Sequence, residues 1–79
     1  MTEFILKKYN IQSTGANGGH NYLKTEIEYK GKIRKLVVLF ANKTDEQNLK
    51  ENTQIRIKGQ LQDDGEKYDL VMNMVTLEK

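Results

Sequence analysis

The chain has no cysteine and no proline, a single histidine and no long hydrophobic run among its 79 residues. Without cysteine there is no disulfide to staple a small core, no thiolate metal site and no thiol redox chemistry. That composition suits a reducing, cytoplasmic setting. His20 alone cannot build a histidine metal site or a catalytic triad. No segment approaches the ~18 apolar residues of a membrane span. The segment from Met1 to Lys7 lacks the charged and apolar regions of a secretion signal. The expectation is one small cytoplasmic domain, near the lower size limit for a self-sufficient core, with no metal, no cofactor and no membrane partner.

The same scarcity argues against an enzyme. One histidine, no cysteine and no evident carboxylate pair leave no nucleophile–base set. Asp63 and Asp64 are adjacent in a turn, where both are solvated. The glycine-rich stretch Ser13–His20 has the composition of a phosphate-binding loop. It lacks the Gly-Lys-Ser/Thr ending and no helical pattern follows it, so it reads as a connection between strands.

Charge is present but uneven. Residues 1–40 hold seven Lys/Arg against three Glu, and residues 41–79 hold six Lys/Arg against eight Asp/Glu, which gives the net +2. The basic excess in the first half is a weak footprint for a polyanion.

The clearest pattern runs from Thr53 to Leu77. Ile55, Ile57 and Leu61 alternate with Arg56, Lys58 and Gln60, the period of a half-buried strand. Gly59 inside it marks a bulge, a bend or a close backbone approach. Asp63-Asp64-Gly65 is turn chemistry. Tyr68 to Leu77 is a long return strand.

Upstream, residues 3–12 form a strand bulged at Lys7-Lys8, where the apolar phase slips. Asn21–Glu28 and Lys32–Ala41 form a hairpin about Tyr29-Lys30-Gly31. A three-residue loop is preferred, because it brings opposite charges and apolar residues together: it pairs Glu28 with Lys32, Glu26 with Arg34, Ile27 with Ile33 and Leu23 with Val37. Ile27, Ile33, Leu23, Val37 and Leu39 then face the core, and Tyr22, Lys24, Leu36, Val38 and Phe40 face outward. A two-residue loop would shift the register by one and reassign the faces. Leu36–Phe40 is apolar on both faces, as a central or covered strand would be. Thr44 to Gln47 fits a capping box for a short helix, with Thr44 as N-cap. Leu49 plugs one end of the barrel, and Lys50 suits the helix C-terminus.

This order of elements resembles the OB-fold, an all-β, five-stranded Greek-key barrel with a short helix between its third and fourth strands. The local carrier is Ile55-x-Ile57-x-Gly59-x-Leu61, an acidic turn, then Tyr68-x-Leu70. It is similar to the closing strands of small single-stranded-DNA-binding proteins. The long acidic tail of bacterial relatives of that class is missing, so the chain resembles a stripped domain of bacterial or phage type.

The resemblance implies non-catalytic binding of single-stranded nucleic acid, DNA favoured over RNA. The groove would lie across the second and third strands, where bases stack on aromatic rings and lysines follow phosphates. Mapped onto this sequence, it takes Tyr22, Lys24, Arg34 and Phe40 on the sheet. Asn17 and His20 lie in the first loop, Lys67 and Tyr68 beside the last, and Lys8 and Tyr9 at the border. Tyr22 and Phe40 have an alternative reading as core side chains, and Arg34 as a partner of Glu26. The alternative function is a protein-interaction or oligomerisation module, a homodimer above all, pairing through Leu36–Phe40 and the last strand.

Overall fold

The computed structural model describes residues 1–13, 20–50 and 53–78. Asn17 and most of the expected glycine-rich loop lie outside the described residues. Six strands and one helical turn follow in order: β1 (Thr2–Leu6), β2 (Asn10–Ser13), β3 (Asn21–Tyr29), β4 (Lys32–Phe40), α1 (Lys43–Gln47), β5 (Ile55–Gln62) and β6 (Leu70–Glu78). They form one sheet in the order β1-β5-β6-β4-β3-β2. All pairs are antiparallel except β4 with β6, which is parallel.

The count is six strands rather than five, because the expected first strand breaks at Lys7–Tyr9. Phe4 and Leu6 turn inward at even positions, Tyr9 and Ile11 at odd ones. The chain has to leave the ladder to change phase. β1 and β2 also lie at opposite edges of the sheet order. In a flat sheet they would stand about 24 Å apart, five spacings of ~4.8 Å. The short link from Leu6 to Asn10 reaches only about 14 Å. The sheet therefore curls into a barrel-like form.

Its interior holds Leu6, Tyr9, Leu23, Leu36, Val38, Ile57, Leu70, Met72 and Val75. Phe4, Ile11, Ile27, Phe40, Leu49 and Leu61 pack against them. Leu49, just beyond the helix, is half-buried against this core. Tyr9 is buried with its hydroxyl satisfied. Its one proton is shared between the carbonyl oxygens of Lys50 (2.6 Å) and Thr53 (2.5 Å).

The hairpin β3–β4 has a two-residue turn, so the preferred register is off by one. Lys30 (φ 52°) and Gly31 (φ 80°) both lie in the left-handed region, as a type I′ turn requires. Tyr29 pairs with Lys32, Ile27 with Arg34, Glu26 with Lys35 and Leu23 with Val38. On β4 the faces are reversed from expectation: Leu36 and Val38 are buried, while Ile33 and Leu39 are exposed and Val37 is half-buried. The I′ twist matches that of the flanking strands, and it outweighed the charge pairing that favoured the other register.

The helix begins two residues earlier than expected, because Asn42 is the N-cap and not Thr44. Asn42 Oδ1 accepts the Asp45 N–H at 2.9 Å. Lys50 lies beyond the helix, which ends at Gln47 with Asn48 as its C-cap. Opposite Gly59, β6 carries one extra residue. The register shifts between Lys58 and Gln60 against β5, and between Val38 and Phe40 against β4. Met74, with φ 54°, sits at that bulge. No helix among the described residues is long and apolar enough to cross a membrane.

Candidate functional site

Alternation along β3 turns Leu23 and Ile27 inward and Tyr22, Lys24, Glu26 and Glu28 outward. On β4 it turns Lys35 and Val37 to the same outer face. Lys24 stands between Asn10 of β2 and Val37 of β4, and Glu26 stands beside Lys35. Tyr22 pairs with Gln12, one outward position (about 7 Å) from Lys24. An open groove of ≈ 720 Å³ crosses this face, lined among others by Lys8, Asn10, Lys24, Lys35, Val37 and Asp69. Three lysines face Glu26 and Asp69 there, which leaves one positive charge. The electrostatic potential of this face is therefore only weakly positive.

Of the residues expected in the groove, Lys8 and Lys24 line it and Tyr22 extends its face. Apart from Tyr9, the other described residues lie elsewhere. Tyr9 contributes to the groove wall, but its ring is buried and its hydroxyl engaged. Phe40 packs against the core on the opposite side of the sheet from Lys24. Tyr68 is exposed and Lys67 lies in the turn before it. His20 is exposed at the start of β3, with Nδ1 3.1 Å from Glu46 Oε2.

Arg34 does not pair with Glu26. The one-residue register shift turns it to the inner face of the hairpin end, where it clamps the β5–β6 loop. It donates to Asp63 Oδ1 (3.3 Å) and to the carbonyl oxygens of Gly65 (2.8 Å) and Tyr68 (2.9 Å). Lys32 adds an ion pair to Glu66 at 2.7 Å. Asp63 accepts the Gly65 N–H at 3.0 Å, and that bond, with Arg34 beside it, holds its carboxyl below the ordinary aspartate value. Lys32 likewise lowers Glu66. The acidic turn is thus partly neutralised by the hairpin it touches, and Tyr68 is presented on an anchored loop.

Two contributors escaped the sequence reading. Lys35 enters the outer face only in the two-residue register. Glu46 is the one charged residue buried among the described residues, accepting the Asn21 N–H at 2.6 Å beside His20. It ties the helix to the start of β3, next to Tyr22. Nothing in its neighbourhood in sequence marks it, because its partners are 25 and 26 residues away. No group of three or more His, Cys, Asp or Glu side chains among the described residues could hold a metal ion. Comparison with protein-family models, with curated proteins and with solved structures finds no match to this chain.

Proposed function

We propose that this chain is an OB-fold domain that binds single-stranded nucleic acid on the outer face of β3 and β4, DNA in preference to RNA, without catalysis. Counting β1 and β2 as one interrupted strand gives five strands, with the helix after the third. That strand then lies at both ends of the sheet order, as a barrel closing on itself requires. The observation that carries the functional reading is Lys8, Lys24 and Lys35 around one open groove, with Tyr22 on the same face. Lysines in such a groove follow the phosphates, and Tyr22 and Tyr68 offer faces for stacking.

Anisotropy of a labelled single-stranded oligonucleotide, with duplex and RNA controls, tests this. Three lysine–phosphate contacts predict a slope of about −2 in log affinity against log salt. Tyr22→Ala should weaken binding by about 5- to 150-fold, the range of one lost base stack. A salt slope near zero, or no binding at low salt, sinks the reading.

A second reading has its own support. Ile33 and Leu39 are exposed and Val37 half-buried on this same outer face. A homodimer through that face would bury them and cover the groove. It would form without salt dependence and compete with the oligonucleotide.

A further inference from the structure

Two free strand edges face each other across a second opening. Among the described residues, β1 pairs only with β5, and β3 beyond Lys24 pairs only with β4. The β2–β3 register, continued backwards, would lay Lys8 beside Glu26. Instead Thr25 Oγ1 donates to the Lys8 carbonyl at 2.6 Å, and the chain swings away to join β5. A wedge opens from that point. It measures ≈ 660 Å³ and runs between Phe4–Lys8 on one side and Thr25–Glu28 on the other.

We infer that this wedge accepts an extended peptide strand from a partner protein, apolar at alternate positions and basic between them. A strand is the ligand that unpaired backbone edges recognise, since its own amides and carbonyls continue the ladder. Inward, Phe4 and Ile27 pack against the core and offer an apolar floor for alternate side chains. Outward, Glu26 and Glu28 lie two residues apart on the β3 edge. Neither forms an ion pair among the described residues. Their spacing of about 7 Å equals that of successive outward side chains on an added strand, so Lys or Arg at every second position would meet both. Charges on a sheet edge ordinarily guard it against any strand. Lys7 and Lys8 also line the wedge, at the closed end marked by the Thr25–Lys8 bond; along the open β3 edge the charges are Glu26 and Glu28, which select for the opposite sign in that part of the partner strand.

This site does not depend on the nucleic-acid reading. The test titrates the isotope-labelled full chain with short synthetic peptides alternating Val with Lys or Val with Glu, and with a Val/Lys version carrying a central proline. The Val/Lys peptide should saturate and slow amide exchange in β1 and in Thr25–Glu28. The Val/Glu peptide should bind about tenfold more weakly or worse, and the proline peptide should lose binding by removing a ladder donor. The double variant Glu26→Lys with Glu28→Lys should invert the preference for charge. If it does not fold, Glu26→Gln with Glu28→Gln should narrow the gap between the two peptides. Tyr22→Ala, a neutral change outside the wedge lining, should leave peptide binding unchanged while weakening oligonucleotide binding. No saturation by either peptide at about 1 mM, or equal affinity for both signs, overturns the inference. So does protection of β1 that grows with protein concentration alone, which would assign the edge to a second copy.

Discussion

The two hairpins are nearly equal in length and opposite in regularity. β3 and β4 run nine residues each, join through two residues and keep one register from Leu23–Val38 to Tyr29–Lys32. β5 and β6 join through the longer Asp63–Asp69 loop and lose register at Gly59. The regular hairpin gives a plate whose outward residues keep a constant spacing, which is what a ligand face needs. The irregular one bends, and it is the bend that lets the sheet curl. The largest effect should come from the regular plate, where one substitution pair decides which face of β4 is inside. Leu36 is fully buried and Ile33 is 66% exposed. Leu36→Ala should cost about 2–5 kcal/mol in urea unfolding, and Ile33→Ala less than about 0.5 kcal/mol. The reverse result would restore the three-residue register.

The irregular hairpin should break at Gly59. A Cβ there would lie 2.6 Å from Val75 Cγ2 and 2.8 Å from the Asn73 carbonyl oxygen. Backbone on one side and a buried valine on the other leave little room to yield. Gly59→Ala should cost about 1–3 kcal/mol, the range for overpacked sites. For a domain of this size each kcal/mol corresponds to about 4–8 °C in Tm, and calorimetry would register it. A neutral Gly59→Ala would mean that β6 does not press on β5 at the bulge.

What was legible in the sequence follows the same division. The β5 strand announced itself because only one of its faces is apolar, so Ile55, Ile57 and Leu61 could be assigned inward without ambiguity. β4 could not, because Leu36–Phe40 is apolar at every position and either phase satisfies the pattern. Its faces were set by the turn, and Lys30-Gly31 lacks the asparagine that usually marks a type I′ turn. That single ambiguity displaced Arg34, Phe40 and Lys35 together, since a shift of one residue moves every side chain of a strand to the other face. Lys24 and Tyr22 kept their place because β3 alternates cleanly. The Glu46 contact and the wedge beside β1 depend on long-range placement, which no local pattern encodes.

A smaller effect should appear where the two hairpins meet. Arg34→Met removes the clamp on the β5–β6 loop and should cost about 1 kcal/mol, the scale of a partly solvated charged contact. The clamp is also sensitive to pH. Asp63 and Glu66 have lowered values in the folded chain, so their contribution is complete above the ordinary carboxylate range. It is lost as pH falls below that range and through the lowered values. Amide resonances of Gly65 and Tyr68 should therefore move in acid before the core unfolds. In Arg34→Met, Asp63 should titrate closer to its ordinary value, though not fully, because the Gly65 N–H still favours the ionised form. An unchanged Asp63 titration would show that Arg34 does not hold the loop.

The smallest effect belongs to the turn that set the register. Lys30 is a non-glycine residue at φ 52°, a conformation that asparagine adopts more readily. Lys30→Asn relieves about 1 kcal/mol of that cost. It also removes the ammonium lying 5.4 Å from the Tyr29 ring centroid, a contact worth about 0.5 kcal/mol at an exposed site. The net should be a stabilisation of about 0.5 kcal/mol. The sign separates the two registers, because a three-residue loop with only Gly31 left-handed places no such demand on Lys30. In that geometry the substitution would lose the cation–π contact and gain nothing, so chemical denaturation of Lys30→Asn would show a destabilised hairpin.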